Sequence, residues 1–425
     1  MRRFFADTTP LRSPDFRRLW WANVVTVIGA NLTIFAVPVQ LYALTGSSAY
    51  VGLSGIFAVV PLIVFGLWGG AWADAMDRRL LLILASVGLA VSSVLLWLQA
   101  ALSANNVWLV LGLLALQQAF YAINSPTRSA AIPRMVPMEQ LAAANSLNMT
   151  VTQVGAIIGP LLAGVLLRWV DLSTLYLIDA LCCALPIWAT IRLAPMPPEH
   201  TRAEDAAGSR WGFAAVLDGL RYLSGNRVVL MSFVVDLIAM IFGMPRALFP
   251  QMAHQDFGGP VEGGTAMALL SAAMSVGAVA GGVFSGWLPR VRRQGLAVVV
   301  AIVVWGAVMV GFGLSAGRSL GNQGSWMWIA LAFLAVGGAA DMVSAVFRST
   351  ILQEAASDEL RGRLQGVFTV VVAGGPRIAD AVHGAAAAMV GTTVAAAGGG
   401  ALVVVGVLLA VMVVPAFLRY RVTRV

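Results

Sequence analysis

Apolar runs of about 20 residues alternate along this chain with short polar breaks, and the breaks carry most of the charge. Twelve runs are long enough to cross a bilayer as helices. The first six cover roughly 17–44, 50–73, 80–103, 107–126, 140–167 and 172–192. The second six cover roughly 228–252, 265–288, 295–315, 325–346, 363–390 and 394–418. The pattern predicts an all-α membrane protein with 12 transmembrane helices. Its one long connection is 193–227, where "PMPPEHTRAEDAAGSRWG" is polar and Pro-rich. The expected organisation is therefore a six-helix bundle over 1–192, a cytoplasmic linker over 193–227 and a second six-helix bundle over 228–425.

Composition strengthens this picture. The chain is 59% hydrophobic and 11% charged, whereas soluble domains carry about 25% charged residues. The net charge of +8 would ordinarily suggest nucleic acid, but topology accounts for it. Every basic residue is arginine, and with both termini cytoplasmic all but four fall on the inner side. The four are Arg168 and Arg318 outside, and Arg246 and Arg377 within spans. The N-terminal "MRRFFADTTPLRSPDFRRLWW" lacks the short apolar core and small-residue site of a cleaved signal. Cys182 and Cys183 are adjacent in an apolar run, point apart on a helix and read as packing residues.

A weak repeat relates the halves. "GGAWADAMDRR" follows the second span and "SGWLPRVRR" the eighth; the second copy keeps glycine, tryptophan and arginines but lacks the acids. Such repeats mark secondary carriers, whose binding site lies near the midplane where the halves meet.

Gly70–Arg79 resembles the loop 2–3 signature of the major facilitator superfamily, with Asp74, Arg78 and Arg79 in its charged positions. Ala75 stands where that family often has Arg, and Asp77 where it often has Gly. "GAIIGPLLAG" in the fifth span, with Gly155, Gly159, Pro160, Ala163 and Gly164, is similar to the motif of exporters and antiporters in the same superfamily, Ala163 replacing one glycine. "FRRLWWANVVTVIGANLTIFAVPVQLYALTGSSAYVGL", "AANSL" and "LRGRLQGVF" look like the branch of enterobactin (siderophore) exporters and macrolide efflux proteins. The fourth span, "VLGLLALQQAFYAIN", lacks the arginine that many proton-coupled drug exporters carry there.

The resemblance implies two pseudo-symmetric six-helix bundles that alternate in access. It also implies a conformational gate made of Gly70, Asp74, Arg78 and Arg79, with Gly155, Gly159, Pro160 and Gly164. Asp74 would sit against the positive end of a helix across the boundary, and Asp358 and Glu359 offer opposite charges for Arg78 and Arg79. The small residues of the fifth span make a stripe that another helix can approach, and Pro160 can bend it.

Ionisable residues inside spans are costly and therefore functional candidates. They are Asp179, Asp236, Arg246, Asp341, Arg377 and Asp380. Arg377 and Asp380 are three apart and share a face; Gly337, Asp341, Ser344 and Arg348 form a polar stripe at similar spacing. Asp236, Asp341 and Asp380, with Arg377 and Arg246, are the proton-coupling candidates, and His383 lies near two of them. Cavity candidates are Asn31, Phe35 and Tyr42 in the first span and Gln117, Tyr121 and Asn124 in the fourth, with Arg128 at that span's cytoplasmic end. Further polar stripes are Asn145, Asn148 and Thr152 in the fifth span and Ser271, Met274, Ser275 and Ser285 in the eighth.

The function expected is secondary active export of a small amphipathic molecule, siderophore or drug-like, by proton antiport. The alternatives are import by the same fold and macrolide or multidrug efflux. Glycine-rich "GAVAGG" lies within a span with no Lys-Ser/Thr after it, so it is no phosphate loop. No catalytic triad, metal site or cofactor is expected, and the protein is not read as an enzyme. Its partners would be a small-molecule substrate, protons and the lipid bilayer, with no nucleic acid. A monomer in a bacterial plasma (inner) membrane is the expected setting.

Overall fold

The computed structural model describes residues 7–197, 227–319, 321–355 and 358–421. The side chains at 67, 69–71, 73–75, 227, 289, 353–370 and 373 lie outside the described set, as does most of the expected linker. The described residues are almost all helical, without a strand. Eleven segments among them are long and apolar enough to cross a membrane, and Asp358–Val390 is a further helix.

The helices are α1 Pro14–Thr45, α2 Ser48–Ala75, α3 Arg78–Ala101, α4 Val107–Ala131 and α5 Leu141–Leu166. The sixth span is two pieces, α6 Leu172–Cys182 and α7 Ala184–Ile191. Then follow α8 Arg227–Gly243, α9 Thr265–Val283, α10 Gln294–Gly317, α11 Ser325–Ala355, α12 Asp358–Val390 and α13 Thr392–Val413. Local chemistry sets several boundaries. The Asp77 carboxylate accepts from the amides of Arg79 (2.8 Å) and Leu80 (3.4 Å) and starts α3. Asn106 does the same for α4 through Trp108 and Leu109. At the corresponding place in the repeat, α10 follows Arg293 and has no side-chain cap. Loss of the acid in the second copy thus has a local consequence. The join between α12 and α13 is Gly391 alone, at φ 81, a left-handed conformation that glycine adopts without strain.

Two spans differ from the predicted uninterrupted runs. The sixth breaks at Cys183. The seventh ends at Gly243, ahead of Pro245, and continues as a 3-10 turn, Arg246–Leu248, a short helix, and a π-turn, Met252–Asp256. Proline has no amide hydrogen and disfavours helix before it. The carbonyls orphaned by this break are recovered by side chains: Trp305 Nε1 donates to Gly243 O at 2.9 Å, and His383 Nε2 lies 3.1 Å from Phe242 O.

The chain forms two compact units. The first comprises the described residues of Met1–Gln40 and Val60–Gly212, and the second those of Leu41–Val59 and Phe213–Val425. The end of α1 and the first part of α2 therefore belong with the second unit. In the first unit α3 packs on α4, α6 and α7, and Phe16, Ile132, Val136, Ala144 and Leu147 form an apolar cluster. In the second, α10 packs on α11 and α13, and α9 on α11. A side chain at Gly277 would overlap the Ala335 carbonyl, and one at Gly338 the Met274 carbonyl. Backbones of α9 and α11 touch because those positions are bare, the usual route to helix contact in lipid. Val235, Ile302, Phe347, Ile351 and Val407 lie in an apolar core of this unit.

Candidate functional site

Phe347 and Ile351 bury α11, and the residue between them in register, Arg348, is carried inside with them. Arg348 is 4% exposed and forms an ion pair with Asp236 of α8, itself 2% exposed. Its Nη2 also lies 3.8 Å from Asp341 Oδ1, two turns back on α11. Arg246 is within electrostatic reach of both Asp341 and Asp380, and Arg377 of Asp380. The result is an ion-paired series in the second unit, Asp236, Arg348 and Asp341, with Arg246, Asp380 and Arg377 extending its alternation of sign through electrostatic reach alone. All five proton-coupling candidates lie on it. The Asp380 Oδ1 atom is buried and accepts no hydrogen bond among the described residues.

Two expectations change here. Hydropathy ends the tenth span near 346, which leaves Arg348 among the inner-side arginines. The helix runs to Ala355, which makes Arg348 an interior residue and the link between Asp236 and Asp341. The polar stripe containing Asp341, Ser344 and Arg348 was the signal that pointed to it. Arg246, expected within a helical span, sits on the 3-10 turn after the Pro245 break and is exposed. His383 is buried and ties α12 to the end of α8.

The first unit has a different polar centre. Asp179 on α6 is 1% exposed; its Oδ2 accepts from Thr33 Oγ1 at 2.7 Å, Ser93 Oγ at 2.9 Å and Gln117 Nε2 at 3.4 Å. One carboxylate thereby joins α1, α3, α4 and α6. A second set, Gln40, Gln99 and Tyr176, is linked by bonds of 2.8–3.1 Å. Several of the cavity candidates lie in or beside these networks. Gln117 is buried against Asp179, Asn124 donates to Ser86 Oγ at 3.3 Å, and Phe35 is buried. Tyr42 is buried in the second unit, its ring 6.2 Å from that of His254. Helical spacing identified a shared face but not the neighbour covering it. Tyr121 is 52% exposed. Asn31 is half-buried and donates to Val27 O.

Asn31 also explains the fifth-span motif. A side chain at Gly159 would overlap Asn31 Cβ, and one at Gly155 would overlap Val27. Gly155, Gly159, Pro160, Ala163 and Gly164 are all buried, so α1 lies directly on this stripe. In the charged knot after α2, the side chains of Gly70 and Asp74 fall outside the described residues. Arg78 Nη1 donates to Ala130 O at 2.9 Å and Arg79 Nη2 to Ile191 O at 2.7 Å, placing cations at the carbonyl ends of α4 and α7. Asp77, which the resemblance treated as a departure, also accepts from the Met196 amide at 3.1 Å. The side chains of Asp358 and Glu359 are outside the described set. Cys182 and Cys183 are free thiols, Cys183 buried. No cluster of metal-ligating side chains occurs among the described residues.

The architecture has known counterparts. The chain is 29% identical over 382 residues to the enterobactin exporter of Shigella boydii serotype 18, covering 88% of this chain and 86% of that protein. It is likewise 29% identical over 381 residues to the enterobactin exporter of Citrobacter koseri, with the same coverage. Among solved structures, the nucleoside transporter NupG aligns with a TM-score of 0.71 at 14% identity, over 95% of this chain and 98% of that one. A D-xylose-proton symporter aligns with a TM-score of 0.70 at 14% identity, over 94% and 97%. The model of the Major Facilitator Superfamily matches residues 19–379. The protein is a multi-pass membrane transporter rather than an enzyme, and the chain belongs to the Major Facilitator Superfamily.

Proposed function

We propose that the protein exports a small amphipathic solute, siderophore or drug-like, from the cytoplasm by proton antiport with alternating access. In this reading the halves 1–192 and 228–425 are the rocking bundles in a bacterial inner membrane, with both termini cytoplasmic. The alternating charge chain of the second unit is the observation that carries it. Placing three acids and three arginines near one another inside a membrane-spanning unit, with Asp236 and Arg348 buried, is costly unless their pairing does something. While Asp236 is ionised, it holds Arg348. Once protonated it releases the guanidinium, which moves onto Asp341 and leaves Arg246 to Asp380. One proton thus re-pairs the chain, and any access state that favours one pairing is linked to protonation. Export and a siderophore-like cargo draw further support from the relatives named as enterobactin exporters.

The gate would comprise Gly70, Asp74, Arg78 and Arg79 with Gly155, Gly159, Pro160 and Gly164. Asp74→Asn should lower transport and raise labelling of the inside-open state; unchanged accessibility would remove Asp74 from the gate. The coupling test uses proteoliposomes containing a pH-sensitive dye, with ethidium and a catecholate siderophore as probes. The purified protein should move protons against the probe it exports. Asp236→Asn should abolish that proton movement while substrate counterflow persists. Export indifferent to collapse of the proton gradient would overturn the antiport reading.

A further inference from the structure

Arg128, in the last turn of α4, is a half-buried cation that the charge chain above does not use. Its Nη1 donates to Asn23 Oδ1 of α1, and Asn23 Nδ2 reaches Asn148 Oδ1 of α5 at 3.5 Å. The Arg128 Nε is buried and has no hydrogen-bond partner. Among the described residues no carboxylate pairs with this guanidinium, and Tyr121 lies two turns back along α4. Donors from two helices thus stand here with no acid among them: the Arg128 fork and the Tyr121 hydroxyl on α4, and the Asn148 amide on α5, joined to Arg128 through Asn23 of α1. Tyr121 itself and Met149, which follows Asn148 on α5, are 52% and 72% exposed, so each offers an apolar body a surface to lie on.

We infer that Arg128, Asn148 and Tyr121 form a recognition site for the planar oxyanion of an aromatic, amphipathic solute. A guanidinium presents paired donors to a carboxylate or phenolate in a fixed fork, and Tyr121 and Met149 contact the ring. The site lies on the α1–α5 seam, two turns from the Asn31 contact with Gly159, where an occupant would bear on the packing of those helices. The inference rests on the transport reading only for the statement that the occupant is cargo.

The test is equilibrium binding of 1-naphthoate and its neutral counterpart 1-naphthamide to the full-length protein in phosphatidylcholine nanodiscs, with and without phosphatidylglycerol. The wild type should hold naphthoate about tenfold or more tightly than the amide. Arg128→Gln should erase that preference. Arg128→Lys, which keeps the charge and loses the fork, should lower it several-fold and serves if the first variant does not fold. Equal binding of both probes to the wild type, or an undiminished preference in either variant, would overturn the assignment. Disappearance of naphthoate binding in discs containing phosphatidylglycerol would give the cation to a lipid headgroup and also overturn it. Since no gradient is used, a naphthoate preference without proton-coupled flux would defeat the antiport reading alone.

Discussion

Replacing Arg348 by methionine is the most direct probe of the charge chain. The arginine is 4% exposed and its partner Asp236 2% exposed, so the variant leaves a carboxylate in the interior without its counter-ion. Breaking a buried pair in this way costs about 3–5 kcal/mol. The Asp341 side chain is 31% exposed, so it regains solvent contact and adds little to that figure. The companion variant carries both Arg348→Met and Asp236→Leu. It removes both charges and fills the space with apolar side chains, a replacement that is often neutral or stabilising. Thermal unfolding in detergent, followed by tryptophan emission, should therefore rank the double variant near the wild type and Arg348→Met well below both. The coupling energy of the cycle should be about 3 kcal/mol or more. Both variants should lose proton-coupled transport, since neither can re-pair. If Arg348→Met unfolds within about 1 kcal/mol of the wild type, the size of an ordinary surface effect, the chain is not electrostatically coupled. A double variant as unstable as the single one would refute the pairing of Asp236 with Arg348 specifically.

Other perturbations test separate parts of the structure. Asp179→Leu strands the donors of Thr33, Ser93 and Gln117 and should destabilise by about 3 kcal/mol or more, with Asp179→Asn milder because it retains an acceptor; the same unfolding assay reads both. Asp77→Ala removes the α3 cap and should cost about 1 kcal/mol; loss of its bond to the Met196 amide should appear as faster hydrogen exchange there. Gly159→Leu overlaps Asn31 and should impair substrate counterflow, whereas full activity would mark the stripe as passive. Gly338→Leu overlaps the Met274 carbonyl and should lower stability by about 1–3 kcal/mol or more, visible as a lower thermal midpoint.

The lengths of the apolar runs, the arginine distribution and the two local motifs were enough to specify a helical membrane carrier and to pick out five of the six members of the charge chain. Those features are visible in one dimension because lipid imposes a minimum helix length and penalises every charge within it. The breaks within the sixth and seventh spans were less legible, since hydropathy does not register how a lost backbone bond is recovered. Trp305 and His383 recover two such carbonyls from helices more than 60 residues away.

Partnership was left to the tertiary structure. Gln117 and Asn124 share a stripe with Tyr121, yet the first two face Asp179 and Ser86 while Tyr121 is open. Arg348 looked like a loop cation until the packing of Phe347 and Ile351 carried it opposite Asp236. Arg128 became a candidate anion site once its partner proved to be Asn23, itself bonded to Asn148, with no acid paired to it among the described residues. A sequence displays which residues are polar and which face of a helix they occupy. The free energy of a buried charge depends on what lies across the helix interface, and only the folded chain specifies that neighbour.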